Sequence, residues 1–176
     1  MKTIYLADKN GGSVVITYED ISELKEELEK RNVYIGHGAS IEDHASIGHG
    51  ASIGHGVIIG KLVSIGHGAS IEDHASIGYS ASIGNHAIIG NRASIGNHAI
   101  IGDGVKLKKS LYIIGSKHCV TYTGNGTLSI GCHNFTIENW LEKFKIIGEK
   151  EGYTEGEILE YETYIKMAEQ FNKLNN

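Results

Sequence analysis

Histidine is the chemistry this chain offers first, ten of them in 176 residues. His37, His49, His55 and His67 stand in Gly-His-Gly, and His44 and His74 in Asp-His-Ala. His86 and His98 occupy matching Gly-Asn-His-Ala-Ile-Ile-Gly units, and Arg92 follows in the same phase as His74. An imidazole titrates near neutral pH and serves as a general base. Three converging imidazoles with an open position hold zinc. Two further histidines, His118 and His133, adjoin the cysteines Cys119 and Cys132. What any of them does depends on what holds them in place.

The spacing around them is periodic. Every sixth residue from Ile35 to Ile101 is isoleucine, and Leu107 and Ile113 continue the series. A period of six fits neither an amphipathic helix nor an open sheet, so the chain coils. Ala or Val stands four places after each isoleucine and is mostly followed by Ser. Small–Ser–Ile read as a strand points in, out and in. Gly usually follows the isoleucine, and two places later come Gly, His, Ser, Arg or Leu. Those positions read as corners, where Gly and some His adopt positive φ. Each hexad is one strand and one corner.

From Val33 to Ile113 the pattern resembles the hexapeptide-repeat superfamily. The resemblance implies a mainly β protein, a left-handed parallel β-helix with three hexads to a triangular coil, about four coils here, assembled as a homotrimer. It further implies acyl transfer from acetyl-CoA or acyl-CoA to a hydroxyl or amine of a small, sugar-like acceptor. His86 and His98 are then the candidate catalytic bases, and His74 with Arg92 a candidate ligand-binding pair. The chain departs from the enzymes of that family: it has no proline for a His-Pro pair, no His-Asp pair, and no long loop interrupting the hexads. His44 and His49 also reproduce the His-x4-His spacing of gamma-class carbonic anhydrases, but the other residues of that zinc site do not align. No metal ligands are assigned.

Stacking at 18 residues places His37 over His55 and Asp73, and His49 over His67 and Asn85. The stretch Ile35–Gly48 recurs letter for letter at Ile65–Gly78, an offset of 30, which is not a multiple of 18. The copies therefore fall on different faces, and so do the two Asn-His units. A site tied to one face would not be copied this way, so the corner pattern reads mostly as scaffold.

The remainder reads as caps, with residues 1–32 an N-terminal hairpin and helix, 33–115 the coil, and 116–176 a hairpin followed by two helices. Asn10-Gly11-Gly12 marks the first turn and Asn125-Gly126 the second. Thr136 caps a helix over Ile137–Lys150, and Thr154 with Glu157 forms a capping box for a last helix. With Asn125-Gly126 as a two-residue turn, Cys119 would face Cys132 and His118 would face His133. His118, Tyr122, His133 and Trp140 then suggest a ligand pocket at the coil end. Ile130-Gly131-Cys132 with Ile137 and Trp140 resembles tails of uncharacterised bacterial or phage proteins.

Net charge is −5, without a basic block, which argues against nucleic acid as partner. No apolar run spans a membrane and Met1-Lys2-Thr3-Ile4 opens no signal peptide, so the expected location is cytoplasmic. Two cysteines give no disulfide framework. The expected function is acyl transfer. The alternatives are a non-catalytic trimer that binds or sequesters a nucleotide or sugar, of a kind a phage could encode, a structural trimer, and the zinc enzyme.

Overall fold

In the computed structural model, which describes residues 1–175, each hexad is one strand of two or three residues and one corner. These coil strands run from β3 (Tyr34–Ile35) to β15 (Lys106–Leu107). Each pairs in parallel with the strand 18 residues on: Ile35 lies beside Ile53, Ile41 beside Ile59 and Ile47 beside Ile65. The architecture is a left-handed parallel β-helix of about four turns. Its first face turns Tyr34, Ser52, Ser70, Ile88 and Lys106 outward. The second turns out Ser40, Ile58, Ser76 and Ser94, and the third Ser46, Ser64, Ser82 and Ile100.

Inside, the isoleucines form ladders such as Ile41–Ile59–Ile77–Ile95, each at most 2% exposed. Each hexad is tied to its neighbours by several backbone hydrogen bonds, and burial of the isoleucines adds roughly 1.5–3 kcal/mol per side chain. The third residue after each isoleucine has positive φ. Glycine supplies five of these corners, and His44, Leu62, His74, Ser80, His86, Arg92 and His98 supply the others. Glycine directly follows ten of the twelve isoleucines, with Glu42 and Glu72 the exceptions, for a different reason: a Cβ on Gly48 would stand 2.5 Å from the backbone of the next coil.

Backbone hydrogen bonds between coils run in both directions. Strand N–H groups donate to the following coil, as Tyr34 N–H to Ala51 O and Gly36 N–H to Ile53 O, and corner N–H groups donate to the preceding one, as Gly56 N–H to His37 O and His74 N–H to His55 O. Each end of the coil therefore presents both N–H and C=O groups that need a cap. At the start, β1 (Lys2–Ala7) and β2 (Ser13–Tyr18) form a hairpin, and β1 extends the third face beside Ile47. Tyr18 Oη and Lys2 Nζ both donate to the Ile41 carbonyl, at 3.1 and 3.0 Å. A 3-10 turn over Ile21–Leu24, with Asp20 and Glu23 as a capping box, leads into α1 (Lys25–Lys30), which buries Leu28.

At the far end stands a four-stranded antiparallel meander, not the single hairpin expected. Its strands are β16 (Tyr112–Ile114), β17 (Cys119–Gly124), β18 (Thr127–Ile130) and β19 (His133–Thr136). Alternation gives the sheet two unlike faces. Tyr122, Val120, Leu128 and Ile130 face the helices, while Thr121, Thr123 and Ser129 are buried on the other side. Thr121 Oγ1 accepts from Gly96 N–H at 3.2 Å, Ser110 Oγ accepts from Ser94 N–H at 3.0 Å, and Asn134 Nδ2 donates to Ile100 O at 3.3 Å. A polar layer sits here because the coil end presents both N–H groups and a carbonyl that need partners.

Asn125 and Gly126 make the expected turn, with φ of 50° and 72°. The expected facing of Cys119 with Cys132, and of His118 with His133, is wrong. An irregularity between Tyr122 and Gly124 shifts the register, and Gly131, at φ 58°, turns the chain back at Cys132. Cys119 lies beside Ile114 and His133 beside Ile130. Above the meander lie α2 (Ile137–Lys150), capped by Thr136, and α3 (Glu155–Asn175), led by the Thr154–Glu157 capping box. No helix among the described residues is long and apolar enough to cross a membrane.

Candidate functional site

The corner histidines are distributed, not assembled. His74 and Arg92 follow the first face in successive coils, His98 follows the second and His86 the third. His74 and Arg92 are thus stacked neighbours, while His86 and His98 stand at different corners. His44 and His49 are likewise on separate corners. All four of His74, His86, Arg92 and His98 are exposed. The His98 ring stands edge-on to Tyr79 at 5.3 Å. Among the described residues, no group of three or more His, Cys, Asp and Glu is placed to hold a metal ion.

Several corner side chains fasten the coil. His55 Nδ1 accepts from His37 N–H at 3.1 Å and Asp73 Oδ1 from His55 N–H at 2.8 Å. Asn85, Asn97 and Asp103 accept in the same way from the residue 18 places earlier. An acceptor at this phase ties one coil to the one before, which explains its recurrence on all three corners.

The meander and its helices create two clefts. One lies between the sheet and the helical hairpin, holds only about 40 Å³ of free space, and is lined by His118, His133 and Trp140. Trp140 Nε1 donates to Leu128 O at 2.7 Å, which fixes the indole as one wall. His133 Nε2 is 3.2 Å from Glu151 Oε1, at the end of α2. The His118 ring stacks on Tyr153 at 5.9 Å, and its Nδ1 is hydrogen-bonded to the Tyr153 hydroxyl. Burial, aided by Tyr161, pushes the Tyr153 phenol well above the usual tyrosine range. Tyr122 does not join this cleft: its ring packs on Phe171 at 5.3 Å and its hydroxyl donates to Asn172 Oδ1 at 2.6 Å.

Tyr122 instead lines a second cleft, with Lys106, Leu107, Lys108, Lys109, Gly124, Asn125 and Leu174, enclosing about 880 Å³ including open solvent. Three lysines and no carboxylate line it. None of the three lysines forms a salt bridge among the described residues. Unneutralised ammoniums on a concave wall attract an anion. Lys106-Leu107-Lys108-Lys109 is a visible run in the sequence, but no spacing in it marks one wall of a cleft.

Residues 29–120, just over half of the chain, match the family model of the GMPPB C-terminal domain. The chain belongs to this family. The GMPPB C-terminal domain is a β-helix related to the hexapeptide repeats, and the match covers the whole coil together with the residues that lead into it. It ends inside β17, so the cleft under the helical hairpin is built almost wholly from segments beyond the GMPPB C-terminal domain match, whereas Lys106, Lys108 and Lys109 of the second cleft lie within it. A comparison with curated proteins found no match.

Proposed function

We propose that the chain is a non-catalytic β-helix module that binds a nucleoside diphosphate sugar at the lysine-lined cleft. The family supports a sugar-nucleotide-related β-helix protein. The observation that carries the reading is the wall of Lys106, Lys108 and Lys109 with no carboxylate among the residues around it. A diphosphate carries the charge those ammoniums lack, and lysine binds phosphate as a point charge without demanding one geometry. Leu174 offers exposed apolar surface to the rest of the ligand. Homotrimeric assembly, as in the hexapeptide-repeat proteins, and a cytoplasmic location belong to the same reading.

The second reading is acyl transfer from acetyl-CoA or acyl-CoA, with His86 or His98 as base. What favours it is that coenzyme A is itself a nucleoside diphosphate derivative and suits the same lysines. One thermal-melting series separates the two. Ligand at one hundred times Kd stabilises by about 2.7 kcal/mol, which raises Tm by roughly 5 °C or more in a chain of this size. The expected result is a rise with nucleoside diphosphate hexoses, full recovery of intact ligand, and loss of the rise in Lys108→Glu and Lys109→Glu. A rise with acetyl-CoA alone, with acetylated product lost in His86→Ala or His98→Ala, establishes the second reading instead. No rise with any of these ligands overturns both.

A further inference from the structure

The N-terminal hairpin leaves one sheet edge open. β2 (Ser13–Tyr18) is the outermost strand of the sheet that continues the third face of the coil. Successive strand residues point their backbone groups to opposite sides, and the bonds of β1 settle which way. Thr3 O accepts from His44 N–H and Thr3 N–H donates to Asp43 Oδ1, both at 2.7 Å, so Thr3 faces the coil. Asp8 N–H donates across the hairpin to Gly12 O at 2.7 Å. The even positions therefore tie β1 to β2, through Ile4 with Ile16 and Leu6 with Val14. Ser13, Val15 and Thr17 turn their N–H and C=O groups outward. All three residues are exposed, Val15 to 59%, and among the described residues no hydrogen bond outside the strand ladders involves them.

An open edge is a template for another strand, and proteins commonly block it with lysine, proline or a bulge. β2 has none of these: Ser-Val-Val-Ile-Thr-Tyr carries no charge and no proline, and its register with β1 is unbroken. We propose that this edge pairs antiparallel with β2 of a second copy of the chain, about a two-fold axis through Val15. Only the register that sets Val15 opposite the partner's Val15 lets all three outward residues pair. Ser13 then meets the partner's Thr17 and Thr17 the partner's Ser13, each pair exchanging both of its backbone hydrogen bonds. The β-branched Val15 side chains pack on each other at the centre, and the serine and threonine hydroxyls flank them. The same register sets Glu19 opposite glycine and Asp20 opposite asparagine, so no like charges meet. The backbone row accepts any extended strand; what selects a second copy is this match of side chains and charges. The pairing joins two coils by their first ends and leaves the lysine cleft, at the far end, uncovered.

Val15→Lys sets two ammoniums against each other at the axis without touching the β1 ladder. Sedimentation equilibrium of the full chain should then give half the assembly mass of the unmodified protein, with the circular dichroism spectrum unchanged. An equimolar mixture of Val15→Lys and Val15→Glu should restore the full mass. A second variant tests the register without weakening the interface. Directly opposed residues of such a pair have Cα atoms about 5.5 Å apart, within disulfide reach. Mild oxidation of Val15→Cys should therefore link two chains through position 15, read by peptide mass spectrometry. Ser13→Cys lies roughly 13 Å along the strand from its own copy and should not link. If a foreign strand is the true occupant, the purified unmodified chain has the same mass as Val15→Lys. That result, failure of the mixture to recover the mass, absence of the link at position 15, or linkage at position 13 as readily as at 15 each overturns the proposal.

Discussion

Ile77→Ala tests whether the isoleucine ladders hold the coil together. Ile77 is 1% exposed and lies between Ile59 and Ile95 on the second face. The substitution removes three carbons, and at about 0.8 kcal/mol per methylene the transfer loss alone is roughly 2.4 kcal/mol. The ladder cannot close the gap, because the strands above and below are hydrogen-bonded to the same backbone. A cavity contribution therefore brings the expected loss to roughly 3–4 kcal/mol, within the range seen for such truncations. Ile35, half-buried in the first coil with a ladder neighbour on one side only, should lose roughly half as much. Urea unfolding followed by circular dichroism gives both values, and Trp140 fluorescence follows the C-terminal cap in the same samples. Equal losses at the two positions, or a loss below about 1 kcal/mol for Ile77→Ala, would refute the ladder as the source of stability.

Two further substitutions probe the cap. Thr121→Val leaves Gly96 N–H buried without its acceptor, which should cost about 1–3 kcal/mol. Hydrogen exchange at Gly96 should accelerate while exchange in the first two coils stays unchanged. The Tyr112 hydroxyl is pushed up to about 12, first by its hydrogen bond to Cys119 Sγ at 2.9 Å, then by burial and the Cys119 charge. A raised tyrosine keeps its proton in the folded chain after the unfolded chain has lost it. Its contribution is therefore full below pH 10 and is lost between pH 10 and about 12. Urea midpoints measured across that window should fall less steeply in Tyr112→Phe than in the unmodified protein.

Local rules with short reach were readable in the sequence. The isoleucine period gave the strands, the residues three places later gave the positive-φ corners, and Thr136 and the Thr154–Glu157 pair gave the starts of α2 and α3. The meander resisted the same treatment. Its register depends on an irregularity at Tyr122–Gly124 and on the turn at Gly131, and neither leaves a periodic trace. The two clefts were harder still. The lysine cleft joins the end of the coil, the Asn125 turn and the tail of α3. The His118–Tyr153 contact spans 35 residues. Side chains that meet only when three elements dock carry no spacing that a linear reading can detect. The buried threonines mark the opposite case: their alternation was visible, but its purpose appears only once Thr121 is seen to accept from Gly96 N–H at the coil end.

A coil of three hexads also bears on the gene. Duplication can proceed one hexad at a time, since any hexad makes a strand and a corner, but the two ends are built for particular faces. Recombination between the identical stretches Ile35–Gly48 and Ile65–Gly78 would delete 30 residues. That is five hexads, one full coil and two faces. The shortened protein would keep every ladder in phase, yet its C-terminal cap would arrive two faces out of place, with Thr121 no longer beneath the strand it closes. Copy number in this gene is free in sixes for the coil and in eighteens for the caps.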